Sequence, residues 1–191
     1  MNLTKTFSVD EIGLLLNALQ FATTKHRNQQ RKSREAIPYI NHPIDVMMTL
    51  WEVGEIREIS TLMAALLHDT LEDTDATEIE ILELFGEQVL YLVQEVTDDK
   101  SLPKQQRKLN QIESASHKSV AAKQIKLADK TCNIHDIAYL PPDNWSLQQR
   151  QDYLDWTIKV VAGLRGTNLA LENHYDVTLI QAQTMLSSNV S

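Results

Sequence analysis

Cysteine is almost missing from this chain. The single Cys132 excludes an intrachain disulfide and suits a reducing compartment. Long apolar runs are missing too: the longest, residues 62–67, falls far short of the ~20 residues a membrane span needs. Residues 1–10 lack the basic-then-apolar layout of a secretion signal. Positive charge is in deficit, with 18 basic against 26 acidic side chains and a net charge of −8, which argues against a general nucleic-acid binder. Alternating apolar runs joined by Asn-Gly or Asp-Gly turns, the mark of hairpins, do not occur. What remains is a chain of 191 residues, 42 % hydrophobic and 23 % charged, with the length and composition of a soluble globular domain with a substantial core. The expectation is one cytoplasmic domain over residues 1–186, a frayed tail over 187–191, and no nucleic-acid or membrane partner. No pattern specifies an oligomeric state.

Gly and Pro, five of each, act as punctuation. Pro38 and Pro43 bracket one loop, Pro103 opens another and Pro141-Pro142 close a third. Gly54 and Gly86 follow helical patterns, where a left-handed cap is often needed. Between these marks apolar residues recur at intervals of three and four. Ser8 to Glu11 forms a capping box ahead of Ile12, Leu15, Leu16 and Leu19, and Thr77 to Glu80 repeats it before Ile81, Leu84 and Phe85. Pro43 suits the first position of a helix reaching about residue 53. Further helices are predicted over 58–68, 87–96, 104–117, 119–135, 147–164 and 167–185. The fold class is all-α.

Charge is unevenly placed. Residues 23–34 hold Lys25, Arg27, Arg31, Lys32 and Arg34 with no acid, while residues 58–99 hold 12 of the 26 acids with no Lys or Arg. Such blocks fit ordinary solvated faces. They also fit a cation-holding zone beside an anion-holding arm.

His68-Asp69-Thr70-Leu71-Glu72-Asp73 narrows the choice. It emerges from the apolar run at 62–67, and helical spacing puts 68 with 72 and 69 with 73. Adjacent His and Asp can reach one cation if the backbone turns there, with two carboxylates one turn further on. Mutual repulsion among Asp69, Glu72, Asp73 and Asp75 would be relieved by a dication. An acidic cap beside a hydrogen-bonded histidine would produce the same string. Two further donors stand elsewhere: His42 at a helix start, and Asp129 inside the apolar stretch 125–130, with Asn133 one turn beyond. Buried acids are rare unless paired or ligating. Alone, His42 fits a satisfied loop histidine and Asp129 a salt-bridge partner of Lys126 or Lys130. Together, two imidazoles and two carboxylates suit a divalent first-row metal.

The order His42, His68-Asp69, Asp129 resembles the H…HD…D signature of HD-domain metallophosphohydrolases. Arg31-Lys32-Ser33, Pro38-Tyr39-Ile40-Asn41-His42-Pro43, the run from His68 to Thr74, Val96-Thr97-Asp98-Asp99-Lys100 and Lys126-Leu127-Ala128-Asp129-Lys130 resemble the hydrolase domain of RelA/SpoT homologues. Trp145-Ser146 and Gly163-Leu164-Arg165-Gly166-Thr167-Asn168 are similar to the stand-alone small alarmone hydrolases. This resemblance covers residues 21–172 and implies an HD-type helical bundle. It further implies one Mn2+ on His42, His68, Asp69 and Asp129, with Glu72 and Asp73 as the acid/base pair at the attacking water. The implied reaction is hydrolysis of the 3′-diphosphate of guanosine tetra- or pentaphosphate to GDP or GTP and pyrophosphate. Arg31, Lys32 and Asn133 match substrate-contacting positions.

Two positions depart from the family pattern. Ala36 stands where a glycine is common, and His135 where an arginine is common, which removes a fixed positive charge. Attraction for a polyanion must come from local basic groups; the Arg31 region and the line Lys123, Lys126, Lys130 offer it, though these are equally ordinary surface lysines. Arg150 and Tyr153 could also face the site, although a Tyr near Trp156 suits core as well. Cys132 fits a core thiol better than a near-site one. The chain length implies no separate synthetase domain. Two alternatives stay open: the same chemistry on another nucleotide, such as a nicotinamide dinucleotide 2′-phosphate, and a catalytically silent alarmone-binding module.

Overall fold

The computed structural model describes residues 7–32 and 36–188. Ser33 and Arg34 of the basic arm, and residues 189–191 of the expected tail, lie outside the described residues. The described chain is all-α: α1 (Val9–His26), α2 (Asn41–Glu52), α3 (Ile59–Leu67), α4 (Thr70–Asp73), α5 (Glu78–Phe85), α6 (Glu87–Val96), α7 (Lys104–Ser114), a 3-10 turn (Ala115–His117), α8 (Val120–Tyr139), α9 (Leu147–Ala162) and α10 (Leu169–Ser188). The sole β pairing among the described residues is an isolated antiparallel bridge between Gln30 and Pro38. No described helix is long and apolar enough to cross a membrane.

Both expected capping boxes form, Ser8 with Glu11 on α1 and Thr77 with Glu80 on α5. Each satisfies backbone N–H groups that a helix start leaves unpaired. The second helix starts earlier than its proline suggests: Asn41 and His42 precede Pro43, which still lies in the first turn, where its missing N–H leaves no bond unmade. The last helix runs through Ser188, so it takes in Ser187 and Ser188 of the segment expected to fray. Gly86 joins α5 to α6 at φ 83°, as a left-handed residue should. Gly54 does not. Glu55 takes the positive φ there, 52°, and Gly54 serves close approach: a Cβ on it would lie 2.9 Å from the Leu50 carbonyl oxygen and 3.1 Å from the Leu171 side chain.

Two helices position the site. All nine residues of α3 but the first are buried, so it is apolar all round and packs against α1, α2, α6 and α8. The long α8 lies against α2, α3, α6, α9 and α10, with α10 its most extensive neighbour. Polar side chains at the end of α3 and the middle of α8 therefore meet inside the bundle.

Candidate active site

His42 projects from the first turn of α2, His68 and Asp69 from the chain just past α3, and Asp129 from mid-α8. His42, His68 and Asp129 are all nearly inaccessible, at 3, 3 and 6 % exposure. His42 Nε2 lies 3.2 Å from Asp129 Oδ1 and 3.9 Å from Asp69 Oδ2. His68 Nε2 lies 3.2 Å from Asp69 Oδ2 and 3.9 Å from Asp129 Oδ1. Ligand atoms of His42, His68 and Asp69 all fall within 4.8 Å of one another. The fold thus gathers four donors separated by up to 87 residues in sequence.

The histidine chemistry fits a metal. His68 Nδ1 donates to the Ala65 carbonyl at 2.7 Å. A carbonyl only accepts, so a proton sits on Nδ1 and Nε2 is the nitrogen turned toward the carboxylates. Nε2 is buried with no hydrogen-bond partner among the described residues. A lone pair facing carboxylate oxygens needs a shared positive charge, either a proton or a cation. Burial works against a charged His68, but Asp69 and Asp129 outweigh it and raise its pKa. Burial also lowers His42, despite its Asp129 bond. Burial alone would raise both aspartates, yet His68 beside Asp69 and Lys130 beside Asp129 hold them ionised, well below the usual carboxylate range. Ionised carboxylates around an unpaired imidazole nitrogen are the donor chemistry of a divalent-metal site, and His42, His68 and Asp69 are placed to hold one.

Both carboxylates are fastened by further donors. Tyr39 Oη donates to Asp69 Oδ2 at 2.5 Å. Lys130 Nζ donates to Asp129 Oδ2 at 2.8 Å, and Asn133 Nδ2 to Asp129 Oδ1 at 2.5 Å.

Glu72 and Asp73 occupy the single turn of α4 and face other partners. Glu72 Oε2 accepts from the Asp98 backbone N–H at 3.1 Å, and Oε1 lies 3.4 Å from Arg107 of α7. Burial, then the nearby Asp98 charge, raises the Glu72 pKa. Asp73 pairs with Lys100, and its carbonyl accepts from Gln29 Nε2 at 2.5 Å. Asp75, expected to add to the repulsion, instead points outward at 89 % side-chain exposure and pairs with Lys25 at 3.3 Å. Of the acids over residues 58–99, Glu72, Asp73, Asp75 and Glu80 are thus matched by Arg107, Lys100 and Lys25, whereas Asp69 faces the two histidines.

Beside the donors opens a cavity of about 690 Å³. Arg31, Lys32, Tyr39, His42, Asp73 and Asn133 are among its lining residues, with Trp145 and Tyr153 on the wall. Glu72 is not among them. Arg31 bonds Asp136 Oδ2 through Nε at 3.0 Å and Asn133 Oδ1 through a terminal nitrogen at 3.0 Å. Two expectations change and a third holds. Lys126 and Lys130 are buried rather than surface lysines. Tyr153 does line the cavity, and its packing on Trp145 and Trp156 combines both of its expected roles. Cys132 packs against the core, its thiol pushed up to about 12 by burial, so it is not a reactive group. Arg107 and Asp136 carried no signal as site residues, since each acts through a partner at least 30 residues away.

A helical bundle with His and Asp donors from separate helices defines a class, and the family model described as the HD domain matches residues 18–155. Curated relatives narrow it. The guanosine-3′,5′-bis(diphosphate) 3′-pyrophosphohydrolase MESH1 of Danio rerio is 52 % identical over 159 residues, 83 % of this chain and 88 % of the relative. MESH1 of Homo sapiens is 52 % identical over 162 residues, 85 % of this chain and 90 % of the relative. A solved structure, described as a metazoan ortholog of SpoT that hydrolyzes ppGpp, superposes with a TM-score of 0.87 at 46 % identity, covering 93 % of this chain and 98 % of that one. The chain belongs to the HD-domain family and, within it, to the MESH1-type guanosine-3′,5′-bis(diphosphate) 3′-pyrophosphohydrolases.

Proposed function

We propose that this chain hydrolyses the 3′-diphosphate of guanosine tetra- and pentaphosphate, with His42, His68, Asp69 and Asp129 holding one Mn2+. The observation that carries this reading is the buried, unpartnered Nε2 of His68 aimed at two ionised carboxylates. Two nitrogens and two oxygens suit a divalent first-row ion, and Mn2+ is the one that the resemblance to the RelA/SpoT hydrolase domain implies. When bound, the ion supplies Lewis-acid charge to a phosphoryl oxygen and acidifies water.

The remaining chemistry belongs to the chain. Arg31, Lys32 and Asn133 bind the nucleotide in the cavity they line. Arg31 is already oriented by Asp136, so little side-chain freedom is lost when a phosphate or base meets it. Asp73, on the cavity wall, orients the attacking water. Glu72, its pKa raised by burial, accepts the water proton and returns a proton to the departing ribose 3′-oxygen. The new bond joins the water oxygen to the phosphorus nearest the ribose, and the bond from that phosphorus to the 3′-oxygen breaks. Pyrophosphate leaves from the tetraphosphate, and GDP remains.

The test incubates purified protein with guanosine tetraphosphate, with Mn2+ supplied or chelated, and separates products by ion exchange. Equal amounts of GDP and pyrophosphate, formed only with the metal, are expected. A tetraphosphate that is bound but survives would overturn hydrolysis in favour of a silent binder. A tetraphosphate that is ignored, while a nicotinamide dinucleotide 2′-phosphate is cleaved, would overturn the substrate.

A further inference from the structure

Lys130 has no place in the chemistry above, yet it is the most deeply buried cation of the described residues, at 4 % exposure. It neighbours Asp129 on α8, and its Nζ donates to Asp129 Oδ2 at 2.8 Å. Trp156 of α9 closes over it, with the ring centre 5.0 Å from Nζ, and the Trp156 indole is itself fixed by a 3.1 Å bond to the Lys108 carbonyl. Lys130 is not among the cavity-lining residues, so its charge is spent on Asp129 and not on a nucleotide.

We propose that Lys130 is a positioning residue for the metal site, one that ties back the outer oxygen of Asp129 so that Oδ1 alone faces the cation. This rests on Asp129 being a ligand. Two consequences follow from the geometry. Holding Oδ2 on Lys130 would keep Asp129 from engaging a bound ion with both oxygens, which would leave room at the ion for water and phosphate. Charge is also tuned. With neutral histidines, Asp69, Asp129 and Lys130 carry one net negative charge, and a dication turns this to one net positive charge facing a polyanionic substrate. Without Lys130 the same sum would be zero. Asp69 differs: the neutral Tyr39 hydroxyl donates to Oδ2, the same oxygen that faces His68, so of the two carboxylates it is Asp129 that is tied back by a cation. Loss of such an outer partner typically costs a metal site roughly 10- to 100-fold in affinity.

The experiment titrates metal-free protein with Mn2+ by calorimetry and records the paramagnetic resonance spectrum of the bound ion. Wild type is compared with Lys130→Met, Lys130→Gln and Asp129→Ala, with the thermal transition of each metal-free form taken alongside. Lys130→Met is expected to weaken Mn2+ binding by roughly 10- to 100-fold and to change the spectrum. Lys130→Gln keeps a donor without the charge and is expected to fall between Met and wild type. If the Met variant fails to fold, the Gln variant decides. Either variant binding Mn2+ with wild-type affinity and spectrum overturns the proposal, even if its metal-free transition is lower. Asp129→Ala separates the two readings: if it binds Mn2+ as wild type does, the ligand assignment itself falls, whereas lost binding there beside intact Lys130 variants sinks the positioning role alone.

Discussion

His68-Asp69 and Glu72-Asp73 stand within six residues of one another, yet the fold treats the two pairs oppositely. The first pair ends α3 inside the bundle, where His68 has an unpartnered nitrogen and Asp69 is kept ionised by its neighbours. The second pair rides a single helical turn nearer the surface, and each acid already has a basic partner, Arg107 for Glu72 and Lys100 for Asp73. Burial without a cation is a demand for one. Pairing with a basic side chain is not, since the charge is already answered. On the function proposed above, one short motif would supply both a metal site and a proton-handling site, because the chain turns between them.

Substitutions that strike only one pair test this division. Asp69→Ala is expected to do the most harm, abolishing Mn2+ binding and lowering turnover on the order of 10³-fold, the worth of several kcal/mol of charge stabilisation. Calorimetry and product analysis would show both losses together. Glu72→Gln should instead separate them: turnover falls roughly 10²- to 10⁴-fold while Mn2+ affinity is kept. The pH dependence sharpens the point. Burial, with help from Asp98, raises the Glu72 pKa, so the carboxyl stays protonated to higher pH than an ordinary glutamate. As the proton acceptor it must be ionised, so the acidic limb of kcat/KM lies above the ordinary glutamate range. Asp98→Asn removes one raising charge and is expected to move that limb to lower pH. The smallest effect belongs far from both pairs. Ser8→Ala removes the α1 cap and should cost about 1 kcal/mol in a urea unfolding curve, with turnover unchanged.

Much of this was legible from the chain itself. Capping residues and intervals of three and four found the helices, since those signals are local. The convergence of His42, His68, Asp69 and Asp129 was legible in part because His68, Asp69 and Asp129 stand out beside apolar stretches, while His42 was marked by its helix start and by the family resemblance. Several contacts were not legible, and for physical reasons. Gly54 is required by the Leu171 side chain, a neighbour 117 positions later that no local pattern encodes. The turn at α4, which separates the two acid pairs, is too short to have a periodicity. Asp75 appeared to crowd the site only because its distant partner Lys25 is invisible in a linear reading. Lys130 sits at a helical interval shared with Lys123 and Lys126, and spacing does not reveal that α9 covers it.

The division of labour is tested most directly by a Mn2+ titration of the Glu72→Gln, Asp73→Asn double variant, read by calorimetry beside a turnover assay. Wild-type stoichiometry and affinity, with turnover at background, are predicted. Metal binding lost together with turnover would contradict the separation, and would make Glu72 and Asp73 part of the metal site.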